Sequence, residues 1–335
     1  MIVSHPSLIF APRSGKFAQC HAPTIAKIPD GRTFVAWFAG TAEKYPDTAI
    51  WMRVMEGGRW GDLSVVAKVA DVAHWNPVLF LDPKNVLRLY FKVGAEIDTW
   101  ETWETELDMS SSKWGEPRKM CKDDPSFGRG PVKNKIVVLK NGDWLAPAST
   151  EKCFGHKIIG FYRIPKSEWN AFVDISKDGG KTWSRSPQVP FDREKYGMDS
   201  GIIQPALWEY DGVVHMLLRS TEGCLFRSWS LDKGETWTIA EPTDIPNPNS
   251  SADIAQFDDG RLALIYNPHK NRFGGRASIA VSFSKGAGEE WSAPGVIEKR
   301  EGGNFSYPFS FVSGNELSVV YSWNRLSIAH FEMKM

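Results

Sequence analysis

The sequence has few cysteines and no excess of charge of either sign. Its four cysteines lie far apart and form no Cys-x-x-Cys pair, which excludes a disulfide scaffold and the usual zinc motifs. Forty basic and forty acidic residues cancel, so no overall field draws the chain to nucleic acid or to an acidic membrane. We therefore expect no metal site, no cofactor, and neither nucleic acid nor a membrane as a partner.

Long apolar runs and helical periodicity are also missing. No uncharged apolar stretch reaches the ~18 residues of a membrane-spanning helix, and residues 1–6 lack the segments of a signal peptide. These absences predict a cytoplasmic protein, with secretion after processing left open. Short runs rich in Val, Ile, Phe, Trp and Tyr alternate instead with Gly, Pro, Asn and Asp, which is typical of an all-β protein.

The apolar runs belong to a unit that occurs six times. Each copy has a polar or proline-marked entry, a strand, a tight turn with Gly or Asn, and a second apolar strand. The copies cover residues 23–38, 76–91, 132–148, 202–218, 252–266 and 305–321. Asp-Gly and Asn-Gly pairs at the turns tolerate positive φ, as hairpin turns require.

The spacing of the copies defines the fold. The units begin near residues 22, 76, 132, 202, 252 and 305, with intervals of 54, 56, 70, 50 and 53 residues. About fifty residues is the size of one four-stranded propeller blade. The sequence thus predicts a single all-β domain over residues 1–335, a six-bladed β-propeller with four antiparallel strands per blade.

A second marker lies between the third and fourth strands of the units. Residues 176–183 and 230–237 both read Ser-x-Asp-x-Gly-x-Thr-Trp, and degraded versions occur at 284–291, 110–114 and 56–60. The Asp and Thr side chains can hydrogen-bond to the turn backbone, and Trp can fill the space between sheets. We expect these boxes to be structural.

The last unit ends one strand short. Residues 325–333 supply its third strand, and the sequence ends at residue 335 without a fourth. Residues 7–12 near the N-terminus, in contrast, belong to no other blade. An N-terminal strand added to blade six would close the ring and remove its open edge.

Six such units with Asp boxes resemble the sialidase (neuraminidase) superfamily over nearly the whole chain. Cys20-His-Ala-Pro-Thr24 resembles the Arg-Ile-Pro motif that opens the first blade of sialidases. A bacterial sialidase-like subgroup with a Cys-His-Ala opening also shares segments similar to residues 75–77, 130–134, 247–250 and 305–308. The resemblance implies a glycosidase that releases a terminal acidic sugar.

The resemblance also implies roles for particular residues. Arg219 and Arg276 look like two of the three arginines that hold the substrate carboxylate, with Arg272 as a competitor of Arg276. Tyr307 occupies the position of the nucleophile. Asp47, 26 residues after His21, lies about where the acid/base aspartate belongs.

Two positions depart from the family pattern. His21 replaces the first-blade arginine, and Gln204 stands where a glutamate activates the tyrosine. A phenol without a carboxylate base is a weaker nucleophile. These departures leave the reaction itself open.

Position within the blades selects pocket residues without reference to any family. Entries of first strands and ends of second strands face the mouth of the central channel. These positions hold His21, Asn76, Lys133, Asn134, Gln204, Asp253, Tyr307, Lys92, Glu151, Arg219, Asn267 and Arg325. Cations outnumber acids in this set, which favours an anionic saccharide as substrate; internal salt bridges between blades are the alternative.

Three functions are compatible with these residues. The first is an exo-sialidase-like hydrolase with Tyr307 as nucleophile and Asp47 as acid/base. The second is a lyase that eliminates at a uronic acid, with His21 or Tyr307 removing the C5 proton. The third is a propeller that binds glycans without catalysis.

Overall fold

The computed structural model of the chain describes residues 2–3, 5–124, 126–159, 162–271 and 274–335. They form six antiparallel sheets of four or five strands, each a separate blade. The predicted all-β, six-bladed propeller is confirmed. The described residues contain one short α-helix, α1 (Arg193–Tyr196). No helix among the described residues is long and apolar enough to cross a membrane.

The strands follow the predicted order. The N-terminal strands are β1 (Ile2–Val3) and β2 (Ser7–Leu8). Blade one contains β3 (Gln19–Lys27), β4 (Thr33–Gly40), β5 (Ala49–Glu56), β6 (Arg59–Trp60) and β7 (Ser64–Ala67). Blade two contains β8 (His74–Leu81), β9 (Leu87–Val93), β10 (Glu101–Asp108), β11 (Lys113–Trp114) and β12 (Arg118–Lys119). Blade three contains β13 (Val137–Val138), β14 (Trp144–Ile159), β15 (Tyr162–Ser176) and β16 (Ser184–Arg185).

The second half of the chain repeats this arrangement. Blade four contains β17 (Ile202–Tyr210), β18 (Val213–Ser220), β19 (Cys224–Ser230) and β20 (Glu241–Pro246). Blade five contains β21 (Asp253–Gln256), β22 (Arg261–Tyr266), β23 (Ser278–Lys285) and β24 (Gly295–Lys299). Blade six contains β25 (Phe305–Ser313), β26 (Glu316–Trp323) and β27 (Ser327–Lys334).

The N-terminus completes blade six, as predicted. Strand β2 pairs antiparallel with β27, with Ser7 opposite His330, and β1 pairs with the far end of β27. The following residues Ile9 and Phe10 are buried, and the Phe10 ring stacks on Trp37 of blade one at 5.1 Å between centroids. The N-terminal segment therefore joins the last blade to the first.

The two complete Asp boxes are structural turns, as expected. In the first box the carboxylate of Asp178 accepts hydrogen bonds from the backbone N–H of Thr182 at 2.9 Å and from its hydroxyl at 2.6 Å. Asp232 makes the same pair of bonds to Thr236, at 2.8 and 2.5 Å. Trp183 donates its indole N–H to the Gly180 carbonyl, which orients the ring.

A repeated bulge shapes the first strands. In blades one, two, four and six, two residues of the first strand lie opposite one residue of the second strand. The first bulged residue has positive φ and precedes proline: Ala22, Asn76, Gln204 and Tyr307, with φ of 51, 41, 54 and 56°. Lys133 of blade three has φ of 75°. Bulges re-aim side chains, so each of the four bulged blades can direct one residue toward the channel.

Candidate functional site

Tyr307 is the centre of a polar cluster built by blades one, four, five and six. Its hydroxyl accepts a hydrogen bond from Nη1 of Arg219 at 3.0 Å. The guanidinium of Arg276 lies over its ring at 5.8 Å from the centroid, and the ring of His21 lies 4.1 Å away, centroid to centroid. The structure thus brings together four residues that are far apart in sequence.

Arg219 is held by several groups at once. Its Nε donates to the Asn249 side-chain oxygen at 2.8 Å, and its Nη1 also donates to the Gln204 side-chain oxygen at 3.3 Å. Its guanidinium stacks on Trp169 at 5.0 Å. These contacts fix the plane of the guanidinium, which is the requirement for gripping a carboxylate with two parallel hydrogen bonds.

Asn249 connects the arginines of blades four and five. Its backbone carbonyl accepts a hydrogen bond from Arg276 at 3.0 Å, while its side chain accepts from Arg219. The turn that presents it is closed by Asn247, whose amide donates to the Ser250 carbonyl. This explains the Asn-Pro-Asn-Ser sequence of residues 247–250.

Arg325 brings a third guanidinium from blade six. Its backbone carbonyl accepts from the N–H of Cys20, next to His21, and its side chain pairs with Glu43 at 2.7 Å. Burial lowers the pKa of Arg276, and the neighbouring charges of Arg219 and Arg325 lower it further. The three arginines therefore lie within electrostatic range of one another.

His21 is buried inside this cationic group. Its side chain is 1% exposed, and neither ring nitrogen has a hydrogen-bond partner among the described residues. Burial lowers the pKa of His21 well below its usual value, and the charges of Arg325, Arg276, Lys133 and Arg219 add to the effect. The imidazole is therefore neutral at pH 7 and has a free lone pair.

Two glutamates face the arginines. Glu43 lies in the connection between β4 and β5 and contacts Arg325. Glu151 lies on β14, opposite Trp169. Burial raises the pKa of Glu151; the charge of Arg219 opposes this shift, and Glu43 adds to it.

Asp47 is placed at the edge of the site. It is exposed, and one oxygen accepts hydrogen bonds from the backbone N–H and the hydroxyl of Thr41, both at 2.8 Å. In the same connection, Glu43 rather than Asp47 makes the ion pair with an arginine. Glu43 thus brings a second carboxylate to the site from the connection that holds Asp47.

Blade three is hydrogen-bonded to blades six and four next to the cluster. Lys133 is fully buried and donates to the Pro308 carbonyl at 2.5 Å, next to Tyr307. Asn134 donates to the carbonyls of Gln204 and Pro205 at 3.0 Å. The hydrogen bonds of these two predicted binding residues therefore link blades and are made to backbone carbonyls.

Some polar residues at strand entries form links between blades. Asp253 accepts from Lys135 at 2.6 Å and from the hydroxyl of Ser310 at 2.7 Å. Asn267 donates to the Phe305 carbonyl at 2.7 Å. The alternative interpretation of the pocket set, internal pairing between blades, therefore holds for these residues.

Lys92 does not join the cluster. Its ammonium is buried between blades two and three, where it donates to the Thr102 hydroxyl and the Arg129 carbonyl. Burial lowers the pKa of Lys92 to about 7. The expectation that Lys92 lines the mouth is corrected, because acceptors inside the blade hold its flexible side chain.

The two remaining predictions have different outcomes. Asn76 occupies the bulge of blade two that corresponds to Gln204 and Tyr307 and is 6% exposed. Arg272 lies outside the described residues.

The four cysteines are unpaired, and no group of three or more His, Cys, Asp or Glu in the described residues is arranged to hold a metal.

Three residues of the site are not predicted by the sequence. Glu43 lies three residues after the end of β4, outside the strand ends that the repeat marks. Asn249 lies in residues 247–250, which only their resemblance to the family distinguishes. Trp169 belongs to the long hairpin of blade three, where no pattern distinguishes a stacking Trp from a core Trp.

Comparison of the chain with protein families gives one match. The model of a family described as BNR repeat-like domain matches residues 31–319, most of the chain. No curated protein sequence matches.

Solved structures share the fold. A Dyadobacter fermentans protein of unknown function is 15% identical, with a TM-score of 0.74; the alignment covers 100% of this chain and 99% of that one. The Hadza microbial sialidase Hz136 is 14% identical, with a TM-score of 0.78 and coverage of 98% and 68%. The NanB sialidase of Streptococcus pneumoniae, in a mutant form, is 12% identical, with a TM-score of 0.74 and coverage of 100% and 71%.

Proposed function

This chain belongs to the BNR repeat-like domain family, and we propose that it is a glycoside hydrolase that releases a terminal acidic sugar. One observation carries the proposal: Arg219 and Arg276 both contact the phenol of Tyr307, and the charge of Arg325 acts on Arg276 from blade six. Guanidinium groups recognise carboxylates by paired, charge-assisted hydrogen bonds. The sialidase names of two structural neighbours agree with this substrate class.

In this proposal the arginines hold the sugar carboxylate and place the anomeric carbon next to Tyr307. The phenol oxygen attacks that carbon while the bond to the leaving oxygen breaks, as in retaining glycosidases with a tyrosine nucleophile. His21, neutral and in ring contact with Tyr307, accepts the phenol proton in place of the missing glutamate. Water then releases the sugar from the tyrosine.

The leaving oxygen needs a proton. The resemblance assigns this step to Asp47, and Glu151 is a second source, because burial raises the pKa of its carboxyl and a protonated acid is required. Either group would give its proton to the departing alcohol and recover one from the attacking water.

A lyase on uronic acids is the second candidate, and the environment of His21 favours it. An unpartnered neutral imidazole beside a tyrosine and several arginines suits β-elimination. The arginines would neutralise the carboxylate, and His21 or Tyr307 would remove the C5 proton. The C4–O bond would break as a C4=C5 double bond forms, and the other of these two residues would give a proton to the leaving oxygen.

Product analysis separates the two reactions. Incubation with a sialoside should release free acidic sugar, whereas elimination in a uronate oligosaccharide would give the ultraviolet absorbance of the new double bond. Tyr307→Phe should lower either activity by at least about a hundredfold, with an unchanged thermal midpoint as the control for folding. Glycan binding without any product would refute catalysis.

A further inference from the structure

Blade three carries a hairpin that the other blades lack. Strands β14 and β15 contain 16 and 15 residues, whereas the second and third strands of the other blades contain six to eight. Pairing continues from Glu151 opposite Trp169 to Ile159 opposite Tyr162. We call residues 152–167 the blade-three arm; at ~3.3 Å per residue, its described strand 152–159 is about 25 Å long.

The arm begins at the arginine cluster. It connects the second and third strands of its blade, so it lies at the same end of the propeller as Arg219, at the end of β18, and Arg325, between β26 and β27. At its base Trp169 supports the Arg219 guanidinium at 5.0 Å. A ligand that extends out of the central site toward blade three would therefore reach the arm.

The arm has a one-sided charge. Residues 152–167 contain Lys152, Lys157, Arg163 and Lys166 and no aspartate or glutamate; Glu151 and Glu168 flank them at the base, where Glu168 lies opposite Lys152. The arm therefore keeps a net positive charge, although the whole chain has a net charge of zero. Near the base, Lys152 is exposed and Phe154 is 52% exposed. An exposed aromatic ring next to a cation suits an acidic sugar, which offers both an apolar face and a carboxylate.

The charge of the arm also argues against a second copy of this chain as its binding partner. Beyond the blade, the two-stranded arm has unpaired edges that could add a strand from a second copy. Such pairing would bring four cations of one arm beside four of the other, and like charges on paired strands are destabilising. A polyanion meets no such repulsion.

We propose that the blade-three arm binds further acidic units of an anionic saccharide chain whose terminal sugar occupies the central site. The inference rests on the proposed function, because it takes the arginine cluster as the terminal subsite. The substrate is then a polyanionic glycan rather than an acidic sugar on a neutral partner. Salt screens the attraction between cations and a polyanion, so the binding of long chains should weaken as the salt concentration rises.

Titration calorimetry with chains of increasing length tests the arm. The probes are α2,8-linked oligosialic acids and oligogalacturonates, each as monomer, dimer, tetramer and hexamer, at low and high sodium chloride. The arm variant combines four substitutions: Lys152→Gln, Lys157→Gln, Arg163→Gln and Lys166→Gln. The control variant removes four exposed lysines from turns at the opposite end of the blades: Lys84→Gln, Lys140→Gln, Lys181→Gln and Lys285→Gln.

We expect affinity to rise with chain length in the wild type for one of the two probe series. The arm variant should bind the monomer normally but lose about tenfold or more in affinity for the hexamer and most of its salt dependence. The control variant should match the wild type. Equal length dependence in wild type and arm variant, an equal loss in the control, or no length dependence in the wild type would overturn the inference.

Two further measurements keep the outcomes distinct. Product release by the same proteins tests the proposed function separately, since an inactive protein with arm-dependent binding would refute only the catalysis. Sedimentation with phosphatidylserine-containing vesicles tests whether the arm binds an anionic membrane surface instead of a saccharide. Arm-dependent binding to vesicles without length-dependent binding of oligosaccharides would assign the arm to a membrane surface and overturn the inference.

Discussion

At the scale of residues, the central cluster combines arginines of blades four, five and six with a histidine of blade one. His21 is neutral because burial and four cations lower its pKa. Arg325 approaches the same place from the neighbouring blade, with its carbonyl bonded to Cys20. The site thereby combines three guanidinium groups with a neutral imidazole.

The role of Arg325 can be measured by substitution. Arg325→Met should raise the KM for an acidic substrate by about tenfold to a hundredfold, because one charge-assisted hydrogen-bonding group is lost, while kcat falls less. Glu43→Gln is the matched control, since it removes the ion-pair partner of Arg325 and leaves the guanidinium in place. An unchanged KM in Arg325→Met would show that two arginines suffice.

Lys92 gives a prediction about stability. Burial lowers its pKa from 10.5 to about 7, so at pH between these values the unfolded chain binds a proton that the folded chain has lost. The free energy of unfolding therefore rises with pH in this window, by up to about 1.4 kcal/mol per pH unit from this group. Denaturant titrations of wild type and Lys92→Met at pH 7, 8 and 9 should show a smaller slope in the variant; equal slopes would contradict the assignment.

Lys92 also shows what sequence cannot supply. It has the same register position in blade two, opposite Trp75, as Arg219 has in blade four, opposite Ile203, so the repeat alone predicted the same environment. Lys92 instead bonds to Thr102 and to the Arg129 carbonyl. The register of a strand follows from its pattern, whereas the direction of a long side chain depends on acceptors contributed by other strands.

At the scale of elements, the bulges and the arm position the site. Proline after the bulged residue and positive φ at that residue recur at Asn76, Gln204 and Tyr307, and a non-glycine residue in this conformation costs of order 1 kcal/mol. The X-Pro repeats were visible in the sequence, but the positive φ was not. In the sequence the arm is indicated only by the 70-residue interval between the third and fourth units. The length of this interval does not show where in the blade the extra residues lie.

The Asp boxes allow a test of an element without a role in the site. Asp178→Ala removes the acceptor of the hydrogen bonds from Thr182 and the Lys181 N–H and should lower the free energy of unfolding by about 1–2 kcal/mol. Hydrogen bonds from Thr182 lower the pKa of Asp178 to about 2, so the stabilisation is present above the ordinary aspartate pKa and is lost as pH falls toward 2.

The control for this test is Lys181→Ala, which changes an exposed side chain of the same box. Denaturant unfolding at pH 7 should separate the two variants, and product release or glycan binding should be normal in both. A loss of activity in Asp178→Ala at a temperature where it is fully folded would contradict the structural role of the box.

At the scale of the whole molecule, the closed ring makes the site possible. Residues 20–21 from the first blade and residue 325 from the last are neighbours across the point where the ring closes, and the N-terminal segment completes blade six at that point. The fold and its closure followed from the count of units, since six units leave one strand missing. The arrangement of the cluster did not follow, because it depends on which side chains of six blades find partners across the channel.

Removal of residues 1–10 should open the ring. The deletion takes away β1 and β2 and the buried side chains of Ile9 and Phe10, and each fully buried apolar side chain contributes about 1.5–3 kcal/mol. We expect the free energy of unfolding to fall by about 3–6 kcal/mol from these two side chains. The exposed edge of β27 should also promote association between copies, which analytical ultracentrifugation would detect.

A shorter deletion provides the comparison. Removal of residues 1–5 keeps β2, Ile9 and Phe10, including the stack of Phe10 on Trp37, and should cost much less than the longer deletion. Binding of an acidic saccharide should weaken in the longer deletion in parallel with unfolding, because His21 and Arg325 are held together across the closure. Full stability and normal binding after removal of residues 1–10 would show that the other blades hold the first and the last in place without the N-terminal strands.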